Sequence, residues 1–147
     1  MQVYFDHIVF DIPSEIDVLS LIPEWEICTS TRMVLHHGMV RVADPVLALK
    51  AARYRGSGEA VVRVEDALLP ENTANYRIRF ADDRAVSVER VEDAPDVTMS
   101  VANFSRFLVG THSFEGVCDI LGADAVKNKE ELSKIFYRKP NFIAEHF

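Results

Sequence analysis

The chain reads as an α+β domain, an antiparallel sheet with helices packed on one face, and three observations lead there. Val62 and Val64 alternate with Arg63 and Glu65, Tyr76, Ile78 and Phe80 with Arg77 and Arg79, and Val86 and Val88 with Ser87 and Glu89. A period of two with one apolar and one polar side is the mark of a sheet that faces water on one surface. After residue 100 the period changes: Val101, Phe104 and Leu108 share a helical face, as do Leu132, Ile135 and Phe136. A helix, then a meander of strands, then helices is the chain order of an α+β fold.

The elements follow in order. Val3 to Phe10 is rich in β-formers and breaks at Pro13; Ser14 can cap a short helix through Leu21, which Pro23 closes. Trp25–Cys28, Met33–His36 and Met39–Val42 are short apolar runs separated by turn formers, Gly38 among them, so they read as strands. Asp44-Pro45 is a helix start, with Asp as N-cap and Pro where its missing N–H costs nothing. Val46, Leu49 and Ala52 then fall on one face, with Gly56 and Gly58 expected to end the element. Three alternating strands follow, and Val97, Met99 and Val101 suggest a fourth. Ser100 can cap a helix that Gly110 stops, Ser113 a second that carries Val117 and Leu121 to Gly122. Asn128 with Glu131 three residues on predicts a capping box for a third helix.

Composition narrows the function. A chain of 147 residues, 48% apolar and 27% charged, suits one ordinary soluble domain with a real core. A net charge of -7 argues against nucleic acid as the main partner, since phosphate binding needs clustered cations; it is compatible with cationic small molecules, although such a charge more often simply keeps a protein soluble. Cys28 and Cys118 lie far apart without CxxC spacing and read as reduced thiols. No apolar run approaches the ~20 residues that span a bilayer, and no secretory signal is visible, so the expected location is the cytoplasm.

Candidate chemistry is sparse. Arg55-Gly56-Ser57-Gly58-Glu59-Ala60 fits the R-x-x-G-x-A pattern that cradles a pyrophosphate, but that pattern requires a strand before it and a helix after it. Here a helix enters and a strand leaves, so a glycine-rich turn is expected. His36 and His37 are adjacent and point to opposite sides of a strand; His7, His112 and His146 offer no ligand spacing, so no metal is expected. Asp66 to Asn72 reads as a connection between strands. The tail Lys139-Pro140-Asn141-Phe142-Ile143-Ala144-Glu145-His146-Phe147 carries apolar side chains to bury, so it is expected to dock and to bring its terminal carboxylate to a fixed place.

Five segments in order are similar to one family. Asp6-His7-Ile8-Val9-Phe10-Asp11-Ile12-Pro13, Met39-Val40-Arg41-Val42-Ala43-Asp44, Asp66-x-x-Leu69-Pro70-x-Asn72, Phe107-Leu108-Val109-Gly110 and the tail from Pro140 to Phe147 resemble the C-terminal part of the enhanced-intracellular-survival type of GNAT N-acetyltransferases. The resemblance implies a sterol-carrier-like α+β domain over residues 38–147, preceded over residues 1–37 by a strand-rich lead-in that ends a second GNAT-like region. It implies that acetyl-CoA and the family's tyrosine general acid belong to an N-terminal GNAT region, and that this chain cannot bind acetyl-CoA alone. It also implies that the carboxylate of Phe147 is a general base toward a cationic amine. Some members carry an acidic residue directly before the terminal Phe; here His146 stands there with Glu145 behind it, and both are candidates for binding the amine.

Two other functions remain open at this point. A sterol-carrier-like fold can hold lipid in a tunnel, which Phe104, Phe107, Phe114 and Phe136 would line, although aromatics at helical spacing are more often core. The domain can also be an assembly module, joining copies into a homo-oligomer through strand edges and an apolar lead-in.

Overall fold

Asp44 and Pro45 open α1 (Pro45–Ala51) as their order predicts: an Asp44 carboxylate oxygen accepts the Leu47 N–H at 3.0 Å. The computed structural model describes residues 39–114 and 127–140, together with Ile16. Expectations for the other residues, including the strands before residue 39, the helix from Ser113 through Leu121, and both cysteines, lie outside the described residues; Met39–Val42, expected as a strand, is described and forms none. Met39–Lys139 form one compact unit.

α1 stops earlier than its glycines suggest. The Ala52 N–H closes the last turn on Ala48, and Ala52 itself is already extended. Arg53 then bridges to Arg84, and the Tyr54 N–H donates to Asp83. Hydrogen bonds to a strand therefore end the helix before any glycine does. Gly56, at φ +69°, makes the turn, while Gly58 is the first residue of β1 (Gly58–Glu65).

β1 pairs antiparallel with β2 (Ala74–Ala81), and β2 with β3 (Arg84–Val91). The fourth strand, β4 (Val97–Ser100), joins the far side of β1 in parallel, giving the order β3-β2-β1-β4. The class is α+β as expected, but the sheet is mixed. A parallel pair normally needs a crossover of a dozen or more residues, yet residues 92–96 suffice here. β3 ends at Val91, opposite Asn75 and so level with Arg63, and β4 begins level with Val62. The chain has only to cross two strands, about 14 Å of sheet at ~4.8 Å per strand step. Five residues reach that far at ~3.4 Å each. Asp93 holds the crossing on the polar face, accepting the Asn75 amide and the Arg77 guanidinium, each at 2.8 Å.

The alternation is obeyed by Val62, Val64, Tyr76, Ile78, Phe80 and Val88, which are all buried. Val86 departs from it and is 68% exposed. The register slips between Arg79, opposite Ser87, and Phe80, opposite Ala85. Val86 is thus the extra residue of a bulge, which takes it out of the pleat.

Ser100 ends β4 and caps α2 (Val101–Val109), its hydroxyl accepting the Asn103 N–H at 3.3 Å. Val101 therefore belongs to the helix, not the strand. Gly110 ends α2 in the left-handed conformation, φ 81°, ψ 24°. α3 (Lys129–Ile135) starts at Asn128, but without a capping box. Asn128 is itself left-handed, at φ 53°, and its amide donates to the Glu59 carbonyl on β1 at 3.1 Å. Glu131 pairs with Lys134 at 2.8 Å instead of reaching back. The buried faces of α1, α2, α3 and the sheet meet in one core that includes Leu49, Tyr54, Met99, Phe104, Leu132 and Phe136.

Candidate functional site

The residues expected to carry the chemistry, Glu145, His146 and Phe147, lie outside the described residues. Their chain leaves the described fold at the end of α3, and that exit is built in detail. Phe136 follows α3 and its carbonyl accepts the Phe114 N–H at 2.8 Å. Its ring meets Phe107 at 5.9 Å, Phe114 at 6.1 Å and Phe104 edge-on at 6.2 Å between centroids. Tyr137 comes next, with the Arg55 guanidinium 4.3 Å and the Lys139 ammonium 4.7 Å from its ring centre. The Lys139 N–H then donates to the Gly110 carbonyl at 3.0 Å, and its ammonium donates to the Leu108 carbonyl at 2.8 Å. A cation at the last carbonyls of α2 answers both their open hydrogen bonds and the helix dipole. Burial pulls the Lys139 ammonium down to about 8.

Three ties thus fix the start of the tail: a backbone bond at Phe136, stacking at Tyr137 and the α2 terminus at Lys139. Sequence reasoning singled out Phe107 to Gly110 and the tail separately. Their contact spans some thirty residues of chain, so spacing alone gives no sign of it.

The glycine-rich stretch does not form a phosphate cradle. Gly58 enters a strand, and the Glu131 carboxylate of α3 occupies the space where a Cβ on Gly58 would stand. A carboxylate at that spot repels phosphate. Arg55 is spent on Tyr137, and its N–H on the Lys134 carbonyl. These residues therefore do not fit the pyrophosphate of acetyl-CoA, and the motif is a turn.

Asp66 anchors the connection between β1 and β2. It is 4% exposed, and both its oxygens take the Arg41 guanidinium, at 2.7 and 2.8 Å. The Leu68 and Leu69 N–H groups each bond Oδ1 at 3.0 Å, and the Asn72 amide reaches Oδ2 at 3.2 Å and the Ala43 carbonyl at 3.0 Å. Burial alone would raise this carboxyl, but the Leu69 N–H, Arg41, Asn72 and the Leu68 N–H together hold it at about 2. Every strong partner belongs to the fold, so Asp66 ties residues 41–43 to the loop and is not a base.

The aromatic set expected to line a lipid tunnel is packed ring against ring. Phe104, Phe107 and Phe136 are 0% exposed and Phe114 1%, with Phe107 and Phe114 5.7 Å apart. These rings pack against one another within the core that the described helices and sheet share. A polar cleft of about 300 Å³ lies at the Asn75 end of the sheet. Of its two cations, Arg63 pairs with Glu65 and Asn75, and Arg90 lies over Tyr76. His112 shares a 3.0 Å hydrogen bond with Thr111. Among the described residues no group of three His, Cys, Asp or Glu could hold a metal, and no helix is long and apolar enough to cross a membrane.

Comparison with curated protein sequences finds no match. Among solved structures, a GCN5-related N-acetyltransferase from Anabaena variabilis superposes with a TM-score of 0.64 at 15% identity, over 73% of this chain and 28% of that one. Eis1 from Mycobacterium abscessus gives 0.58 at 23% identity, over 71% and 26%. A probable N-acyltransferase from Enterococcus faecalis gives 0.58 at 14% identity, over 70% and 28%. The chain therefore spans little more than a quarter of the length of these proteins, and at such identities the likeness is one of fold. A family model, the sterol carrier protein domain, matches residues 45–143, from the first residue of α1 into the tail. With well over half its length inside that match and the mixed sheet and helices described above, the chain belongs to the sterol carrier protein domain family.

Proposed function

We propose that the chain is the C-terminal domain of a GNAT-type N-acetyltransferase, and that it supplies the α-carboxylate of Phe147 as general base toward a cationic amine. The observation that carries this reading is the shared fold: about a quarter of each of three larger proteins, two of them described as acetyltransferases or probable acyltransferases and one as Eis1, superposes on most of this chain. The order of sequence segments supports the same assignment. Acetyl-CoA would be held by an N-terminal GNAT region and supplies the thioester. No contact to it is assigned to residues of this chain.

The chemistry sets the conditions for such a base. An alkyl ammonium has a pKa near ~10.4 and a free α-carboxyl one near ~3.5, so direct abstraction in the ground state is costly. Proton transfer becomes favourable as nitrogen attacks the carbonyl and turns acidic, directly or through one water. The ammonium first gives up one proton to water, the free amine attacks the thioester carbonyl, its nitrogen passes a second proton to the carboxylate, and the carbon–sulfur bond breaks as the leaving sulfur takes a proton from the N-terminal region's general acid or from solvent. Before that step the carboxylate, with Glu145 and His146 beside it, holds and orients the ammonium.

Extending the full-length enzyme by one Ala after Phe147 moves the carboxylate by one residue and keeps every side chain. Acetyl transfer to a polyamine is expected to fall ~10²-fold or more, the usual share of a general base. An unchanged rate overturns the role of Phe147.

A further inference from the structure

We propose that Arg53 and Arg84 form a binding site for a polyvalent oxyanion, a phosphate or carboxylate group carrying two or more negative charges. The two guanidiniums stand on adjacent strands with no acid to neutralise them, and the site is independent of the role given to Phe147.

Arg53 and Arg84 are partners in an antiparallel bridge. The Tyr54 N–H, one residue past Arg53, donates to the carbonyl of Asp83, one residue before Arg84, at 3.1 Å. A bond that flanks a pair in this way marks the non-hydrogen-bonded position, where Cα atoms stand ~4.5 Å apart and side chains come closest. Like charges directly opposite each other cost stability. The chain has acids to spare, 23 against 16 Lys and Arg, and on the other strands it uses them: Arg63 pairs with Glu65, Arg77 with Glu59 and Asp93, and Arg79 with Glu59. Arg53 and Arg84 are both exposed, and among the described residues neither has an ion pair. Asp83, next to Arg84 in the chain, spends its Oδ1 on the Gly56 N–H at 2.7 Å, and Asp82 pairs with neither arginine.

The backbone under the pair is held from both sides. Asp82 and Asp83 make the two-residue turn from β2 into β3, both left-handed, at φ 51° and 63°. Tyr54 stacks on Phe80 at 4.9 Å between ring centres, and its hydroxyl donates to the Leu49 carbonyl. The Arg55 N–H donates to the Lys134 carbonyl at 3.0 Å. A site already held in place loses little freedom when it binds. An oxyanion between the two guanidiniums accepts from both forks and turns a repulsion into two charge-assisted pairs. Two positive charges are matched by an ion with at least two negative ones. Arg55 adds no third fork, since its guanidinium lies over Tyr137. Gly58, which the Glu131 carboxylate closes to phosphate, is on β1, with β2 and β3 between it and Arg53.

Thermal melts of the protein near neutral pH, in about 10 mM pyrophosphate or about 10 mM citrate, are compared with sodium chloride of equal ionic strength. At least one of the two anions is expected to raise the midpoint by about 3 °C, the shift of a ligand present at ~10 times its Kd. The larger of the two shifts tells phosphate from carboxylate chemistry. Arg53→Gln and Arg84→Gln each keep the length of the side chain and remove no hydrogen bond of the described fold; each should cut the shift below about 1 °C. Lys129→Gln, which removes an exposed cation from α3, should retain it. No shift beyond that of chloride, or a shift of the same size in both arginine variants, overturns the site. A shift lost equally in Lys129→Gln follows net charge alone and overturns it as well.

Discussion

Asp66 carries a charge inside the fold only because the surrounding groups are arranged for it. Its carboxyl lies near 2, well below the ~3.9 of an unfolded chain. A folded value below the unfolded one gives stability that is complete above about pH 4 and is lost as pH falls toward 2. Thermal melts from pH 6 to 2 should show the midpoint dropping across that window, and Asp66→Asn should flatten the drop. A wild-type midpoint that stays level from pH 4 to 2 contradicts the clip. Ser105 is the neutral counterpart, fully buried, with its hydroxyl accepting the Val42 N–H at 2.9 Å and donating to the Val101 carbonyl at 2.7 Å. Ser105→Ala leaves the Val42 N–H without that acceptor, and urea denaturation should record a loss of about 1–3 kcal/mol.

At the scale of elements, local chemistry and tertiary contact divide the work. The starts of α1 and α2 and the stop of α2 are legible in Asp44, Pro45, Ser100 and Gly110, since caps act on backbone groups within four residues, whereas the stop of α1 is set by contacts with Asp83 and Arg84. The bulge is not, since Val86 and Val88 are chemically identical and only the partner strand distinguishes them. Val88→Ala should cost about 1.5–3 kcal/mol and Val86→Ala less than about 0.5, measured side by side in urea. Equal losses would place the bulge elsewhere. Asn128 shows a cap predicted with the wrong mechanism. The residue is right, but β1 competes for its amide and Lys134 for Glu131. Asn128→Ala should cost about 1–2 kcal/mol, through the left-handed backbone and the lost bond to Glu59, and Asn128→Gly should recover part of it. Identical losses in both variants would rule out the backbone contribution.

For the molecule as a whole, the aromatic cluster is where a carrier and a packed core differ, and among the described residues its rings are packed on one another. Phe136 touches three other rings and closes α3 onto α2, so Phe136→Ala is expected to cost about 3–5 kcal/mol. With these rings packed on one another in the described core, native mass spectrometry should show protein without bound lipid. A stoichiometric fatty acid that survives desalting would restore the carrier reading. An assembly module would join copies through its strand edges, and a strictly monomeric species by light scattering at high concentration would count against that reading.

The sequence by itself determined the period of each strand, the amphipathic faces of the helices, the caps at Asp44, Ser100 and Gly110, and the likeness of five ordered segments to an acetyltransferase family. These are local quantities, carried by residues within a few positions of one another. Only the tertiary structure decided that β4 joins in parallel, that Val86 leaves the pleat, that Glu131 closes the space over Gly58, and that Gly110 lies under Lys139. Each of these depends on a partner far along the chain, and which partner arrives is settled by the packing of the whole core.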